Sequence, residues 1–209
     1  MVKMSSPFVL QIKNKPCLVI GGGTIAERKI IHLLKEQASV TVISPTLTEN
    51  LKQQRNAFTY KETDMKVKDT DREGCDRLDL NWRSFFLVVI ATDSFALNEK
   101  FATGLTQYVS LINVVDNQQV SSFFFPSVIE RGKLKVAVTT SGASPILSKK
   151  ITRHIAKLLG PEYGEYVDQL AALRRDLQKR EINPIRRKEL LEASTPFPLP
   201  DSQERENKK

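Results

Sequence analysis

The sequence predicts an α/β fold built on a parallel sheet, and three observations carry that reading. Cys17-Leu18-Val19-Ile20 is a short apolar run that ends at Gly21-Gly22-Gly23. Residues 24–36 then place Ala26, Ile30, Leu33 and Leu34 at helical spacing. Val40-Thr41-Val42-Ile43 is a second run, stopped by Ser44-Pro45. Strand, glycine turn, helix and strand in that order make a βαβ unit. Its crossover requires parallel strands with helices packed on them.

The later elements follow the same logic. Ala57-Phe58-Thr59-Tyr60 reads as a short third strand, and the polar stretch 61–81 as a loop. Phe85-Phe86-Leu87-Val88-Val89-Ile90 is the strongest strand signal and ends at Ala91-Thr92-Asp93. A helix over 95–108 and a strand over Leu111–Val115 complete an open sheet domain, taken as residues 1–113. The pattern then changes: 122–129 and 133–140 flank Glu130-Arg131-Gly132 as a hairpin, so residues 114–144 form a small β-rich segment. Ser144-Pro145 starts a helix with Ile151, Ile155, Leu158 and Leu159 on its apolar face, and Gly160-Pro161 stops it. A second helix covers 162–181, with Tyr166, Leu170, Leu173 and Leu177 on one side. Residues 145–183 are thus a helical segment. Beyond Asn183-Pro184 periodicity is lost, and 184–209 reads as a flexible tail.

Composition narrows the function classes. Of 209 residues, 40% are hydrophobic and 27% charged, a globular mixture rather than a disordered one. No apolar run approaches the ~20 residues that cross a bilayer, and the N-terminus lacks the apolar core of a signal peptide. Cys17 and Cys75 cannot by themselves form a disulfide framework or a zinc site. A cytoplasmic protein with no membrane partner and no preformed metal site is the expectation. The net charge is +8, and residues 149–188 hold 11 basic against 5 acidic side chains. Such a stretch attracts anions or is a solvated helix surface. No aromatic platform accompanies it, so a nucleic-acid partner is not expected.

Four places could carry chemistry. Gly21-Gly22-Gly23-Thr24-Ile25-Ala26 fits G-x-G-x-x-G/A between a strand and a helix, the setting in which that pattern means a Rossmann-like dinucleotide site. Gly21 permits the sharp turn, Gly23 leaves no side chain against a pyrophosphate, and Ala26 lets the helix pack close. The helix start, at Thr24 and Ile25, offers N–H groups and a positive dipole end. The acid expected after the second strand is replaced by Ser44, whose hydroxyl can still reach a ribose, with Pro45 and Thr46 beside it. This position leaves NAD against NADP open. Ala91 and Thr92, past the end of a parallel strand, are expected to touch the cofactor, while Thr92 and Asp93 could instead only cap the next helix. Asp116, after Asn113-Val114-Val115, could be a general base, orient a substrate N–H, ligate a metal, or simply begin a turn. Finally, Thr140, Ser141, Gly142 and Ser144 run into a helix carrying Lys149, Lys150 and Arg153. A well-capped helix by itself explains Ser144 and Pro145, but cations near a helix N-terminus oppose its dipole, which suggests an anionic ligand there.

With these motifs in place the chain resembles the precorrin-2 dehydrogenase (siroheme synthase N-terminal) family. The resemblance runs from about Phe8 to about Arg180 and rests on residues 21–29, Ala91-Thr92-Asp93, Asn113–Asp116, Ser122-Phe123, Phe125-Pro126-Ser127, Val136-Ala137-Val138 and Ser141–Pro145. It implies NAD-dependent oxidation of precorrin-2 to sirohydrochlorin by a homodimer whose β-rich segment and C-terminal helices build the dimer contact and much of the tetrapyrrole cleft. Thr24-Ile25 and Pro45-Thr46 match the family's NAD contacts, and Asp116 matches its conserved aspartate, which in some relatives is implicated in inserting ferrous iron. Thr140 stands where some fused enzymes carry a phosphorylated serine. The chain looks like the stand-alone form, without a fused methyltransferase. Two other readings stay open at this point: a bifunctional dehydrogenase and ferrochelatase, and a nucleotide-sensing module without catalysis.

Overall fold

In a computed structural model the described residues are 5–64, 80–115 and 117–199. The chain divides into two compact units, residues 5–125 and the residues from Pro126 onward.

Among the described residues the first unit holds a parallel sheet in the order β3-β2-β1-β4-β5. Its strands are β1 (Pro16–Ile20), β2 (Ser39–Ser44), β3 (Thr59–Glu62), β4 (Leu87–Ile90) and β5 (Ile112–Val114). The helices are α1 (Thr24–Lys35), α2 (Glu49–Gln53) and α3 (Phe95–Leu105). Side chains alternate across the sheet, and both faces are covered. Cys17, Val19, Leu87 and Val89 meet Ala26, Ile30 and Leu33 of α1. Leu18, Ile20, Val88 and Ile90 meet Leu97, Phe101, Ala102 and Leu105 of α3. Burial on both faces is why these strands read as unbroken apolar runs. β3 starts two residues later than the sequence suggests. Arg55–Ala57 forms a 3₁₀ turn and Phe58 buries its ring before pairing begins.

β5 ends the sheet on one side, and its outward backbone is satisfied by serines. The Ser122 hydroxyl accepts from Ile112 N (2.8 Å) and donates to the Ser110 carbonyl (2.7 Å). The Ser121 hydroxyl accepts from Val114 N (2.9 Å) and donates to the Asn117 carbonyl (2.7 Å). Phe123 and Phe125 then pack beside the α1 cluster. The hairpin is consequently shorter than expected: β6 (Ser127–Arg131) pairs antiparallel with β7 (Leu134–Val138).

The second unit adds α4 (Pro145–Leu158), α5 (Glu162–Arg180) and α6 (Pro184–Ala193) to that hairpin. The Arg131 guanidinium donates to the carbonyls of Leu159 (2.8 Å) and Ala156 (3.3 Å), satisfying the end of α4. Gly132, at φ +56°, packs so closely on Gly164 that a Cβ would stand 3.3 Å from its Cα. α6 corrects the reading of 184–193 as part of an aperiodic tail. None of its residues is buried, so no apolar stripe announces it. Instead the Asn183 side chain accepts from Ile185 N (2.9 Å) and Arg186 N (3.3 Å), with Pro184 at the first helical position. Among the described residues no helix is long and apolar enough to cross a membrane.

Burial perturbs titratable groups of the first unit, Cys17 and Lys29 strongly and Tyr60, which it raises, less so. It pushes the Cys17 thiol up to about 11, so this core cysteine stays protonated and is a packing residue. Lys29 of α1 sits with Nζ 4.0 Å from the Phe125 ring centroid. Burial first, and neighbouring Arg28 second, lower its pKa from 10.5 to about 8. Between those two values the unfolded chain holds this proton and the folded chain does not, so the Lys29 contribution to stability rises with pH. Below pH 8 the folded state carries the cost of a half-buried charge. The Tm of Lys29→Met minus that of wild type should therefore fall as pH rises from 7 to 10, by about 2–4 °C after allowance for solvent screening. Paired thermal melts check this. A difference independent of pH would show that burial does not shift the Lys29 pKa. Cys17 titrates in both proteins and cancels.

Candidate functional site

The C-terminal ends of β3, β2, β1 and β4 surround a cavity of about 360 Å³. It lies on the sheet edge where open α/β folds collect ligands, at the reversal of strand order beside β1. All ten residues expected at a cofactor site line it: Gly21, Gly22, Gly23, Thr24, Ile25, Ser44, Pro45, Thr46, Ala91 and Thr92.

Each glycine answers a different constraint. Gly21 N continues the ladder to the Ile43 carbonyl (2.8 Å), while Ala91 N reaches the Ile20 carbonyl (2.8 Å). These bonds bring the turns after β1 and β4 together. Gly21 is held at φ +123°, and a Cβ there would collide with the Ala91 carbonyl. Gly22 occupies a position that the glycine pattern leaves free. Yet a Cβ there would strike the Thr46 carbonyl and stand 2.8 Å from the Ser44 hydroxyl oxygen. Its own carbonyl accepts from Thr48 N (3.1 Å). Gly23 is the opposite case: a Cβ would meet nothing within 4 Å. It opens onto the cavity.

α1 begins at that open point without a side-chain cap. α5 likewise lacks a side-chain cap, whereas α2, α3, α4 and α6 are capped by Thr48, Ser94, Ser144 and Asn183. A helix start with bare N–H groups beside an open glycine can hold an anion against main chain. Glu27, in the first turn of α1, accepts from the Thr48 hydroxyl and from Asn50 Nδ2 (2.8 Å). These bonds, Thr48's the larger, hold its carboxyl below the usual range and tie the β2–α2 loop to α1.

At the β4 end a buried Asn98 fixes the turn. Its Nδ2 donates to the Thr92 carbonyl (3.1 Å), and its Oδ1 accepts from Thr92 N (3.2 Å) and the Thr92 hydroxyl (2.5 Å). Capping of α3 falls to Ser94, whose hydroxyl accepts from Leu97 N (3.3 Å), rather than to Thr92 or Asp93. Asp93 lines the cavity instead, as do Thr63 and Asp64 from the end of β3. Sequence reasoning missed Asn98, Thr63 and Asp64. The first shows itself only through a contact six residues away, and the other two only once β3 is placed beside β2.

The remaining site candidates lie elsewhere. Asp116 is outside the described residues. Thr140, Ser141, Gly142, Ser144, Lys149 and Arg153 all belong to the second unit. Ser141 (φ +49°) and Gly142 (φ +80°) form a left-handed bend, and the Thr140 hydroxyl accepts from Ser144 N (3.0 Å). Ser144 caps α4 by accepting from Leu147 N (3.2 Å). Lys149 and Arg153 are exposed. Both sit past the first turn of α4, where the helix-end charge has faded. The expected conflict between these cations and the dipole is therefore smaller than spacing alone suggests.

Comparison with known proteins bears on this arrangement. The family model described as "Putative NAD(P)-binding" matches residues 8–127. The chain belongs to this NAD(P)-binding family. Its matched span contains the ten expected cofactor residues and the whole parallel sheet. A second model, "Sirohaem biosynthesis protein central", matches residues 131–158. Siroheme synthase 1 of Klebsiella pneumoniae subsp. pneumoniae is 36% identical over 176 residues, covering 83% of this chain and 35% of that protein. Siroheme synthase of Nitrosococcus oceani is 33% identical over 180 residues, covering 86% and 36%. The chain thus spans about a third of the length of these relatives. The solved structure of SirC, precorrin-2 dehydrogenase, superposes with a TM-score of 0.72 at 25% identity, covering 92% of this chain and 90% of that one.

The glycine geometry makes a contrast that stability measurements can read. Gly22→Ala should lose about 1–3 kcal/mol, because its Cβ has no room between the Thr46 carbonyl and Ser44. Gly23→Ala should stay within about 1 kcal/mol of wild type. Denaturant unfolding of both variants checks this, and equal losses would contradict the packing described.

Proposed function

We propose that this protein is an NAD-dependent dehydrogenase that converts precorrin-2 to sirohydrochlorin on the route to siroheme. The observation that carries the proposal is the cavity at Gly23, where bare main chain and an uncapped helix start face open space. The likeness to SirC over nearly the whole chain supports the choice of substrate. The residues present fit a dinucleotide: the α1 N–H groups suit a diphosphate, and Gly23 lets it approach the backbone. NAD, when bound, supplies the hydride acceptor.

The chain's own residues supply position and charge. Thr24 and Ile25 hold the phosphates. Ser44, Pro45 and Thr46 line the adenosine side, held in place by Glu27 through Thr48 and Asn50. Ala91 and Thr92, fixed by Asn98, back the nicotinamide side. Oxidation removes a hydride and a proton from the macrocycle, and Asp116 is the proposed proton acceptor. Thr140, Ser141, Gly142 and Ser144, with Lys149 and Arg153, form the surface for the carboxylates of the tetrapyrrole.

A homodimer is part of the proposal. Among the described residues of the second unit, Ile129, Leu159 and Tyr163 are its buried apolar side chains. Leu147, Ile151 and Leu158 of α4 remain exposed at helical spacing, with Val128 of β6 exposed as well. So small a core beside so much exposed apolar surface calls for a covering partner.

The direct test is the anaerobic absorption spectrum of precorrin-2 incubated with enzyme and NAD. Sirohydrochlorin should appear with wild type and not with Gly23→Asp, whose carboxylate would occupy the phosphate position. Asp116→Ala should lower kcat by about 10²-fold or more with NADH affinity within about twofold of wild type. Coenzyme binding without any tetrapyrrole turnover by wild type would favour a sensing module and overturn the proposal. Separately, Ile151→Asp combined with Leu158→Asp should convert the dimer to a monomer in light scattering. A wild type that is already monomeric would remove the dimer.

A further inference from the structure

We propose that Asp64, at the C-terminal end of β3, makes the cavity select NAD over NADP; this rests on the coenzyme reading above. The usual dinucleotide site takes its ribose-binding acid from the end of the second strand, about 20 residues after the glycine turn. Here that position is Ser44, which is only 6% exposed. Its hydroxyl oxygen lies 2.8 Å from the point where a Cβ of Gly22 would be. The side chain is therefore spent on packing the glycine turn.

The carboxylate comes from the next strand instead. β3 runs parallel to β2 with Ser44 opposite Glu62. The chain beyond is pinned to the same point, because the Ser44 carbonyl accepts from Thr63 N (3.2 Å) and from the Tyr60 hydroxyl (2.9 Å). Asp64 follows directly and lines the cavity beside Ser44, Pro45 and Thr46. Strand order puts this group on the β2 side of the glycine turn and Asp93, at the end of β4, on the other. Among the described residues Asp64 is thus the charged side chain that lines the cavity at the adenosine end. Among the described residues no lysine or arginine lines the cavity.

The charges decide between the two coenzymes. A carboxylate accepts hydrogen bonds from free ribose hydroxyls. A 2′-phosphate replaces one of those donors with a group near −2 at neutral pH. Next to Asp64, and with no cation among the described residues that line the cavity, that group is repelled and unpaired.

Equilibrium titrations of the 209-residue chain, read by the intrinsic fluorescence of NADH and NADPH, test this without turnover. Wild type should bind NADH at least about tenfold more tightly than NADPH. Asp64→Asn should tighten NADPH about five- to tenfold while weakening NADH about threefold or less. Asp64→Arg should move the ratio further the same way. Glu62→Gln, which removes a nearby carboxylate that does not line the cavity, should leave the ratio unchanged. If wild type binds both coenzymes and Asp64→Asn leaves their ratio unaltered, the role of Asp64 is overturned and the coenzyme reading survives. An equal shift from Glu62→Gln would replace Asp64 with diffuse surface charge and also overturn it. If wild type binds neither coenzyme, the coenzyme reading fails and this inference fails with it.

Discussion

The first unit depends on how closely three backbone segments meet at one edge of the sheet. The turn after β1 passes between the Ala91 carbonyl and the Thr46 carbonyl with no room for a Cβ at either contact. That closeness follows from register. β1 pairs with β2 on one side and β4 on the other, and the Gly21 and Ala91 amides extend the ladders one residue past the strands. A side chain at Gly21 or Gly22 would wedge these segments apart. Because they stay together, the third glycine is left facing open space. The cavity is thus a consequence of tight packing on two sides rather than of loose packing on the third.

Much of this was legible in the sequence because it is local. The alternation of apolar residues, the glycine run and the stop at Ser44-Pro45 each declare themselves within a few residues. The ten cavity residues expected there follow from them, since a parallel sheet brings the ends of its strands to one edge. What stayed hidden depends on distance. Asn98 looks like an ordinary helical residue until its amide is seen holding Thr92. Glu27 reads as a first-turn acid suited to a helix dipole, yet it also ties down a loop that begins about 20 residues later. Gly22 sits where the motif accepts any residue, and only the Thr46 carbonyl explains it. α6 failed for another reason. It is a helix set by its cap and proline rather than by a buried stripe, so periodicity had nothing to report.

Charge is distributed unevenly along the chain, and the proposed chemistry uses that unevenness. The sequence carries an excess of eight positive charges. Nevertheless, among the described residues, the charged lining of the cavity is carboxylate, from Asp64 and Asp93. Phosphates bound there would be held by main-chain dipoles and not by ammonium or guanidinium groups. The cations cluster instead along α4, α5 and α6, where a ligand rich in carboxylates would need them.

The serines beyond β5 have a consequence for the folded molecule as a whole. A terminal strand with outward donors is a template on which a foreign strand can dock, and sheets that grow this way lead to aggregates. Ser121 and Ser122 occupy the amides of Val114 and Ile112 with their own hydroxyls. The border of the sheet is therefore closed by the 121–123 segment of the same molecule, through the two serine hydroxyls and the Ser122 amide on the Ile112 carbonyl. Two hydroxyl groups do the work of a guard, and on this flank they leave a passing polypeptide no free rung to grasp.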